Sequence, residues 1–479
     1  MSVITDRFEE KCRECSEKKA VITVQDGKKL CKTFGQLYED IKSFSGYFER
    51  TGVSRGKKIL LFAKISYRLV VFMIAAMRMD ITVMFVDISA LQDNPERVIE
   101  KFGPDYILVS KKTKLMRFLF KGTRKIKNLI DIDSIPFDSK DAKYITGVAE
   151  QSVALLTMTT GSTGTPKIIP RTHSDLLSQL ELIRANMKDA KEDIILTTSF
   201  MYVFANLISG YTTVIPTVSL AKNEKQLNQY FSSFKNLDIT MIITSPDFCL
   251  KVDSMFPKLR TMYIGGAILN RYETNCILKK FGQADIFYIY GSTECNLMAC
   301  TRLDDYAKSL LSDESCLGKI VNGVSVSIRD DEIFVSSSAL LKNDISGFSA
   351  NCLMEGGNVW YSTGDAGQIK DGKLYYLGRK KFSFTQNSKR IYYNQIEQYL
   401  SVRMPQIHKC AFIEKDNMKL LFTEGKNISP DNIEKLVREG LGFDVTVKAL
   451  DYIPRDVKHH TKVDYKKLFA EAKKYGIYN

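Results

Sequence analysis

Short apolar runs alternate with helical patterns along most of this chain. "KILLFA" (58–63), "TVMFVDI" (82–88), "DYILVS" (105–110), "VALLTMTT" (153–160), "DIILTTSF" (193–200), "TMIITS" (240–245), "RTMYIGG" (260–266) and "ADIFYIYGSTE" (284–294) are nearly continuous apolar stretches, most of them running into Gly, Ser or Thr. Such runs predict parallel strands buried on both faces, with the polar loops at their carboxyl ends, where open α/β sheets bind ligands. Between them, "YRLVVFMIAAMRM" (67–79) predicts a buried helix flanked by Arg68 and Arg78. From about residue 331 the texture changes to "DEIFVSSS" and "GQIKDGKLYYLGRKKFSFTQ", with Asp371-Gly372 as a hairpin turn. A smaller, basic, mixed α/β segment follows Arg379. Because 479 residues exceed what one hydrophobic core supports, two domains are expected, 1–379 and 380–479.

Composition changes this picture little. With 44% hydrophobic and 26% charged residues the chain has the make-up of an ordinary globular protein. The opening "MSVITDRFEEKCREC" lacks the apolar stretch of a signal peptide, and the 67–79 run is too short to span a bilayer. A cytoplasmic protein without a transmembrane segment is expected. The ten cysteines are scattered, and the close pair Cys12 and Cys15 has no second pair to complete a zinc site. The formal charge of +14 is densest at 111–127, "KKTKLMRFLFKGTRKIK", where eight residues are basic and none acidic. That segment reads either as a solvated helix face or as a surface for an anionic partner such as a carrier protein, coenzyme A or lipid headgroups. No nucleic-acid fold signature accompanies it, so no nucleic-acid partner is expected.

The candidate chemistry begins at "LLTMTTGSTGTPKIIPRTH" (155–173). Small hydroxyl residues and glycines in a row are the composition of a solvated turn, or of a loop that offers backbone N–H groups, hydroxyls and one ammonium to an anion. It is not a Walker loop, which needs Gly-x4-Gly-Lys-Ser/Thr. It does resemble, position for position, the phosphate loop of the adenylate-forming, AMP-binding enzymes: the acyl-CoA synthetases, peptide-synthetase adenylation domains and luciferases. Further segments resemble that family in its own order. "YIYGSTE" (288–294) is similar to Tyr-Gly-x-Thr-Glu, "IGGA" (264–267) to the adenine-side strand end, and "YSTGD" (361–365) to Tyr-Arg-Thr-Gly-Asp. "GRKKFSFTQNSKRIYYNQIE" (378–397) resembles the hinge segment and "PRDVKHHTKVDYKKL" (454–468) the element carrying the adenylation lysine.

The resemblance implies an α/β fold, with a large N-terminal domain of mixed, mainly parallel sheets and helices and a small mobile C-terminal α+β lid. It implies that Thr159, Thr160, Gly161, Ser162, Thr163, Gly164 and Lys167 grip the phosphates of ATP, that Gly265, Gly266, Ala267, Tyr290 and Gly291 flank the adenine, and that Asp365 and Arg379 take the ribose. Thr293 would contact the α-phosphate, Glu294 would hold Mg²⁺, Lys462 would serve adenylation, and Lys381 would be the hinge. These residue types suit the chemistry. A carboxylate attacking the α-phosphorus brings two anions together, and Mg²⁺, loop amides and a lysine neutralise the growing charge.

The segment that meets the acyl pocket in acyl-CoA synthetases, aromatic-His-x-x-Gly, corresponds to "SFMYVFANL" (199–207), with Tyr202 at the histidine and Ala205 at the glycine. Tyr202, Phe204, Asn206 and Tyr263 are the candidates to line the pocket. No aspartate stands there to pair with an α-ammonium, so an acyl or aryl acid is expected rather than an amino acid. Ser388 replaces a hinge-segment glycine that lets the lid approach the pantetheine arm. Thr461 replaces a glycine beside Lys462, two extra residues separate Pro454 from Lys462, and His459 and His460 are candidate phosphate partners; His173 has a structural reading. The implied reaction is activation of a small carboxylic acid to an acyl-adenylate, then transfer to coenzyme A or to the phosphopantetheine of an acyl carrier protein. The rival readings are transfer to an amine or hydroxyl, a non-catalytic homologue that kept the fold, and a nucleic-acid-binding protein.

Overall fold

The computed structural model describes residues 3–25, 27–85, 95–118, 120–138, 147–159, 167–188, 192–344, 347–415, 418–456 and 462–474. Among them two large sheets sandwich a layer of helices. In one sheet the strands Asp285–Tyr290, Thr261–Gly265, Met241–Thr244, Ile194–Thr197, Thr212–Pro216 and Lys19–Gln25 run parallel, each to the next. Beyond Asp285–Tyr290 the same sheet turns antiparallel through Ala299–Arg302, Ser315–Ile320, Lys373–Arg379 and Asn358–Lys370. The second sheet is parallel through Asn128–Asp131, Tyr106–Val109, Lys58–Phe62, Thr82–Phe85 and Val153–Thr159, and ends on the antiparallel strand Lys167–Thr172.

The strands read as both-face-buried because each feeds two cores. Ile59 and Leu61 point into the central cluster, while Leu60 and Phe62 point into the cluster beyond the second sheet. Ile195 likewise joins the central cluster and Leu196 the cluster behind the large sheet. Helix Tyr67–Arg78 is buried at every position but Arg68, and its last residue, Arg78, is neutralised by Glu9 at 3.1 Å. Among the described residues no helix is long and apolar enough to cross a membrane.

One element differs from the sequence reading. The strand expected over 193–200 stops at Thr197, because the Thr197 hydroxyl accepts from Ser199 N–H (3.2 Å) and turns the chain into helix Phe200–Ile208. Thr159 pairs with Lys167 across an antiparallel ladder, so the two strands that flank the phosphate-loop candidate form a hairpin. Pro170 fits in its second strand because that strand lies at the sheet edge. Asp371 and Gly372 form the two-residue turn between Lys370 and Lys373, both with φ in the left-handed region (50° and 70°).

The large sheet's last strand ends at Arg379, and residues 380–382 lead to a small unit. It contains the hairpin Ser383–Gln386 and Lys389–Tyr392, and a three-stranded sheet of Ile407–Lys415, Met418–Gly425 and Thr446–Ala449 packed with helices Tyr393–Arg403 and Pro430–Leu441. This unit docks on helix Arg271–Phe281 of the large one. Lys409 Nζ meets Glu273 Oε1 at 2.8 Å, Asn270 Nδ2 donates to the His408 carbonyl (2.9 Å), and His408 stacks on Tyr272 with ring centroids 4.2 Å apart.

Candidate active site

Three sequence segments meet past the carboxyl ends of two neighbouring parallel strands. Gly265 pairs with Ile289, so Gly266-Ala267 and Gly291 leave the sheet side by side. The buried Tyr288 hydroxyl donates to the Ala267 carbonyl (2.7 Å) and fixes the first turn. Gly291 is required sterically, since a Cβ there would collide with the Asn296 carbonyl. The Tyr290 ring is buried, and its hydroxyl donates to Asp365 Oδ2 at 2.6 Å. Its polar end is therefore committed to Asp365, which the sequence had assigned to a different role.

Asp365 and Arg379 are cross-strand partners in the hairpin closed by Asp371-Gly372. Arg379 Nε lies 3.1 Å from Asp365 Oδ1, and Arg379 Nη1 donates to the Thr363 carbonyl (3.1 Å). Burial raises the Asp365 carboxyl above the usual range, against the opposing pull of Arg379, the Tyr290 hydrogen bond and Lys462. Lys462 comes from the small unit, so the two units contribute charge to one place. Lys462 is exposed, and its carbonyl accepts from Asp456 N–H (2.8 Å). Lys381, in the 380–382 connection, lies over the Phe382 ring at 4.9 Å, and burial lowers its pKa.

Thr293 and Glu294 are held by a residue that the sequence reading passed over. Arg171, in "PRTH", is fully buried; its Nη2 donates to the Thr293 carbonyl (2.9 Å), its Nε to Gln179 Oε1 (3.1 Å) and its Nη1 to the Thr157 hydroxyl. It straps the hairpin of the phosphate-loop candidate to the Thr293-Glu294 turn of the other sheet. Burial lowers its pKa to about 10, and the Glu294 charge acts against that shift. The Glu294 carbonyl accepts from Leu341 N–H (3.0 Å) and Gln179 Nε2 (3.4 Å), which fixes the backbone and leaves the carboxylate facing Tyr361. An arginine in an edge strand was the only sequence signal. His173 is wholly buried at the start of helix His173–Ala185, in keeping with a structural role.

The pocket candidates divide. Tyr202 and Asn206 share one face of helix Phe200–Ile208, four residues apart. Tyr263, stacked on Phe287 at 5.1 Å, accepts from Lys188 N–H (2.6 Å). These three converge on Arg184, which the sequence reading also missed. Its Nη1 donates to Asn206 Oδ1 (3.4 Å), its guanidinium lies 4.4 Å over the Tyr211 ring, and burial lowers its pKa. Phe204 points to the opposite face, edge-on to Phe200 and beside Ile4 and Phe8. Thr160, Gly161, Ser162, Thr163, Gly164, His459, His460 and Thr461 lie outside the described residues, as do the side chains of Thr159 and Lys167.

Among the described residues no group of three or more His, Cys, Asp or Glu side chains gathers as a metal cage. A lone carboxylate at Glu294 fits Mg²⁺ that arrives on phosphate oxygens, since that ion needs one or two protein carboxylates and keeps its other ligands from water and substrate.

A family model described as AMP-binding enzyme matches residues 8–334. A D-alanine–D-alanyl carrier protein ligase of Bacillus cytotoxicus is 22% identical over 426 residues, which is 80% of this chain and 79% of the relative. The o-succinylbenzoate–coenzyme A synthetase of Bacillus subtilis, solved with AMP, superposes with a TM-score of 0.78 at 18% identity, covering 96% of this chain and 97% of that one. An amide bond synthetase of Marinactinospora thermotolerans gives 0.79 at 16% identity, covering 98% and 99%.

Proposed function

Because the chain belongs to the AMP-binding enzyme family and is an adenylate-forming ligase, we propose that it activates an acyl or aryl acid without an α-amino group and passes the acyl group to a thiol of coenzyme A or of a carrier-protein phosphopantetheine. The observation that carries this reading is the convergence of Tyr290, Asp365 and Arg379 from the large unit with the charge of Lys462 from the small one. In the first step a carboxylate oxygen of the acid attacks the α-phosphorus, the bond to the bridging oxygen breaks, and pyrophosphate leaves with the electron pair. Asp365 and Arg379 hold the ribose end. Arg171 fixes the Thr293 turn against which the α-phosphate rests, and Lys462 offsets the charge that builds between the two anions. Glu294 would hold Mg²⁺, which supplies further charge neutralisation when bound. In the second step a thiolate attacks the acyl carbon and AMP departs.

The acid rather than the amino acid is favoured by the charge of the pocket. A guanidinium sits among Tyr202, Asn206 and Tyr263, and an α-ammonium brought beside it meets like-charge repulsion. The curated relative acts on D-alanine, so its substrate is a control in the test rather than an expectation for this chain.

A second acceptor is favoured by one observation. Ser388 is exposed and holds a left-handed conformation (φ 60°) where the family's hinge segment carries glycine, so a side chain stands where that glycine would leave room for a pantetheine arm. Transfer to an amine escapes that constraint. The test is product analysis: protein, MgATP and an acid panel are incubated with coenzyme A, a phosphopantetheinylated carrier, or a primary amine. A thioester supports the proposal. An amide formed with neither thiol acylated replaces it with the second reading.

A further inference from the structure

Asn206 is wholly buried, and its amide Nδ2 has no hydrogen-bond partner. An orphaned donor in a packed interior costs about 1–3 kcal/mol, so its persistence asks for an acceptor that arrives from elsewhere. The neighbour is a cation: Arg184 Nη1 donates to the Oδ1 of the same amide at 3.4 Å. Two donor groups, one of them charged, thus share one spot. The walls are aromatic: Tyr211 lies under the guanidinium at 4.4 Å, and Tyr263 stacks on Phe287.

The spot lies one step inward from the chemistry. Helix Phe200–Ile208 starts past the carboxyl end of strand Ile194–Thr197, the end at which open α/β sheets bind ligands; Tyr202 is in its first turn and Asn206 one turn farther along. On helix His173–Ala185, Gln179 reaches the Glu294 carbonyl, and Arg184 follows five residues later, about 7.5 Å farther along the axis.

Resting on the acid-activating reading above, we propose that Arg184 and Asn206 close the far end of the acid pocket and bind a second carboxylate, so that the substrate is a dicarboxylic acid activated at one end only. A carboxylate has the lone pairs to accept from the guanidinium fork and the amide together. A neutral acyl tail offers no acceptor and leaves the amide orphaned, and an ammonium is repelled. The aromatic walls suit a spacer that is a ring or a few methylenes, and the helix geometry sets its length at several carbons.

The experiment is acid-dependent ATP–pyrophosphate exchange with glutarate, adipate and phthalate against hexanoate, benzoate, monomethyl adipate and β-alanine, using wild type, Arg184→Met and Arg184→Lys. The expected result is exchange with one or more dicarboxylates, a half-ester weaker by about 100-fold in kcat/KM, and an Arg184→Met effect carried by KM rather than kcat. Equal or better exchange with hexanoate or benzoate, with KM unmoved in Arg184→Met, overturns the dicarboxylate while leaving acid activation intact. If Arg184→Met fails to fold, the comparison of diacid with half-ester on wild type decides alone. No exchange with any acid, from protein that binds MgATP calorimetrically, removes the underlying reading and this inference with it.

Discussion

Arg379 faces Asp365 across one rung of a β-hairpin, Nε to Oδ1 3.1 Å, and is the last strand residue before the chain leaves the large sheet. The ion pair therefore joins the carboxylate proposed to take the ribose to the connection on which the small unit hangs. Asp365→Ala removes the group that receives the Tyr290 hydroxyl and Arg379 together. A hydrogen bond to a charged carboxylate contributes about 1.5–3 kcal/mol, so with Asp365 proposed to accept from the ribose the KM for ATP is expected to rise by roughly 10- to 100-fold. Initial rates at varied ATP check this, with circular dichroism as the control for folding.

Lys409 and Glu273 form the buried seam between the units, 2.8 Å apart with side chains 9% and 7% exposed. Glu273 also accepts from Asn270 N–H at the start of its helix (3.1 Å). Lys409→Ala leaves that carboxylate buried without its cation, a loss of about 3–5 kcal/mol in comparable pairs. The small unit should undock first. Limited proteolysis within 380–382 reads this as faster cleavage, while Glu273→Gln with Lys409→Met restores much of the protection.

Glu397 ties the small unit together internally. Burial pushes its carboxyl up to about 7, against the pull of Lys409, Phe412 N–H and the Tyr465 hydroxyl. Since the folded value exceeds that of the unfolded chain, folding favours the protonated form. The stabilisation is fully present below about pH 4.5 and is lost as pH rises toward 7. Glu397→Gln should flatten that slope, raising stability near pH 7 by an amount on the order of 2–3 kcal/mol. Denaturant midpoints across pH 5 to 8 measure it.

Ser388 follows Asn387 in the turn of hairpin Ser383–Tyr392, both left-handed at φ 60° and 49°. Ser388→Gly relieves a conformation that costs a side chain about 1 kcal/mol. The melting temperature should rise modestly and the exchange reaction should not change. If the acceptor is a thiol, thioester formation should hold or improve.

The parallel strands and the buried helix 67–79 were legible because sheets buried on both faces impose unbroken apolar runs. Asp365 and Arg379 were legible only by resemblance to a family. Their pairing depends on the register of a hairpin whose one visible signal is Asp371-Gly372. Arg171 and Arg184 were not legible. A lone arginine in an edge strand or in a helix's last turn looks solvated in sequence, and only tertiary packing buries Arg171 and half-buries Arg184. Phe204 was grouped with Tyr202 by proximity in sequence, yet two residues along a helix is about 200° around it, which sends the rings to opposite faces.

The central claim is that Lys462 is delivered by the small unit for adenylation. ATP–pyrophosphate exchange by wild type and Lys462→Ala, run with the best acid and with MgATP affinity measured in parallel, tests it most directly. The account predicts acid-dependent exchange that falls by at least about 100-fold in the variant while MgATP affinity changes little. Exchange at wild-type rate in Lys462→Ala would contradict it.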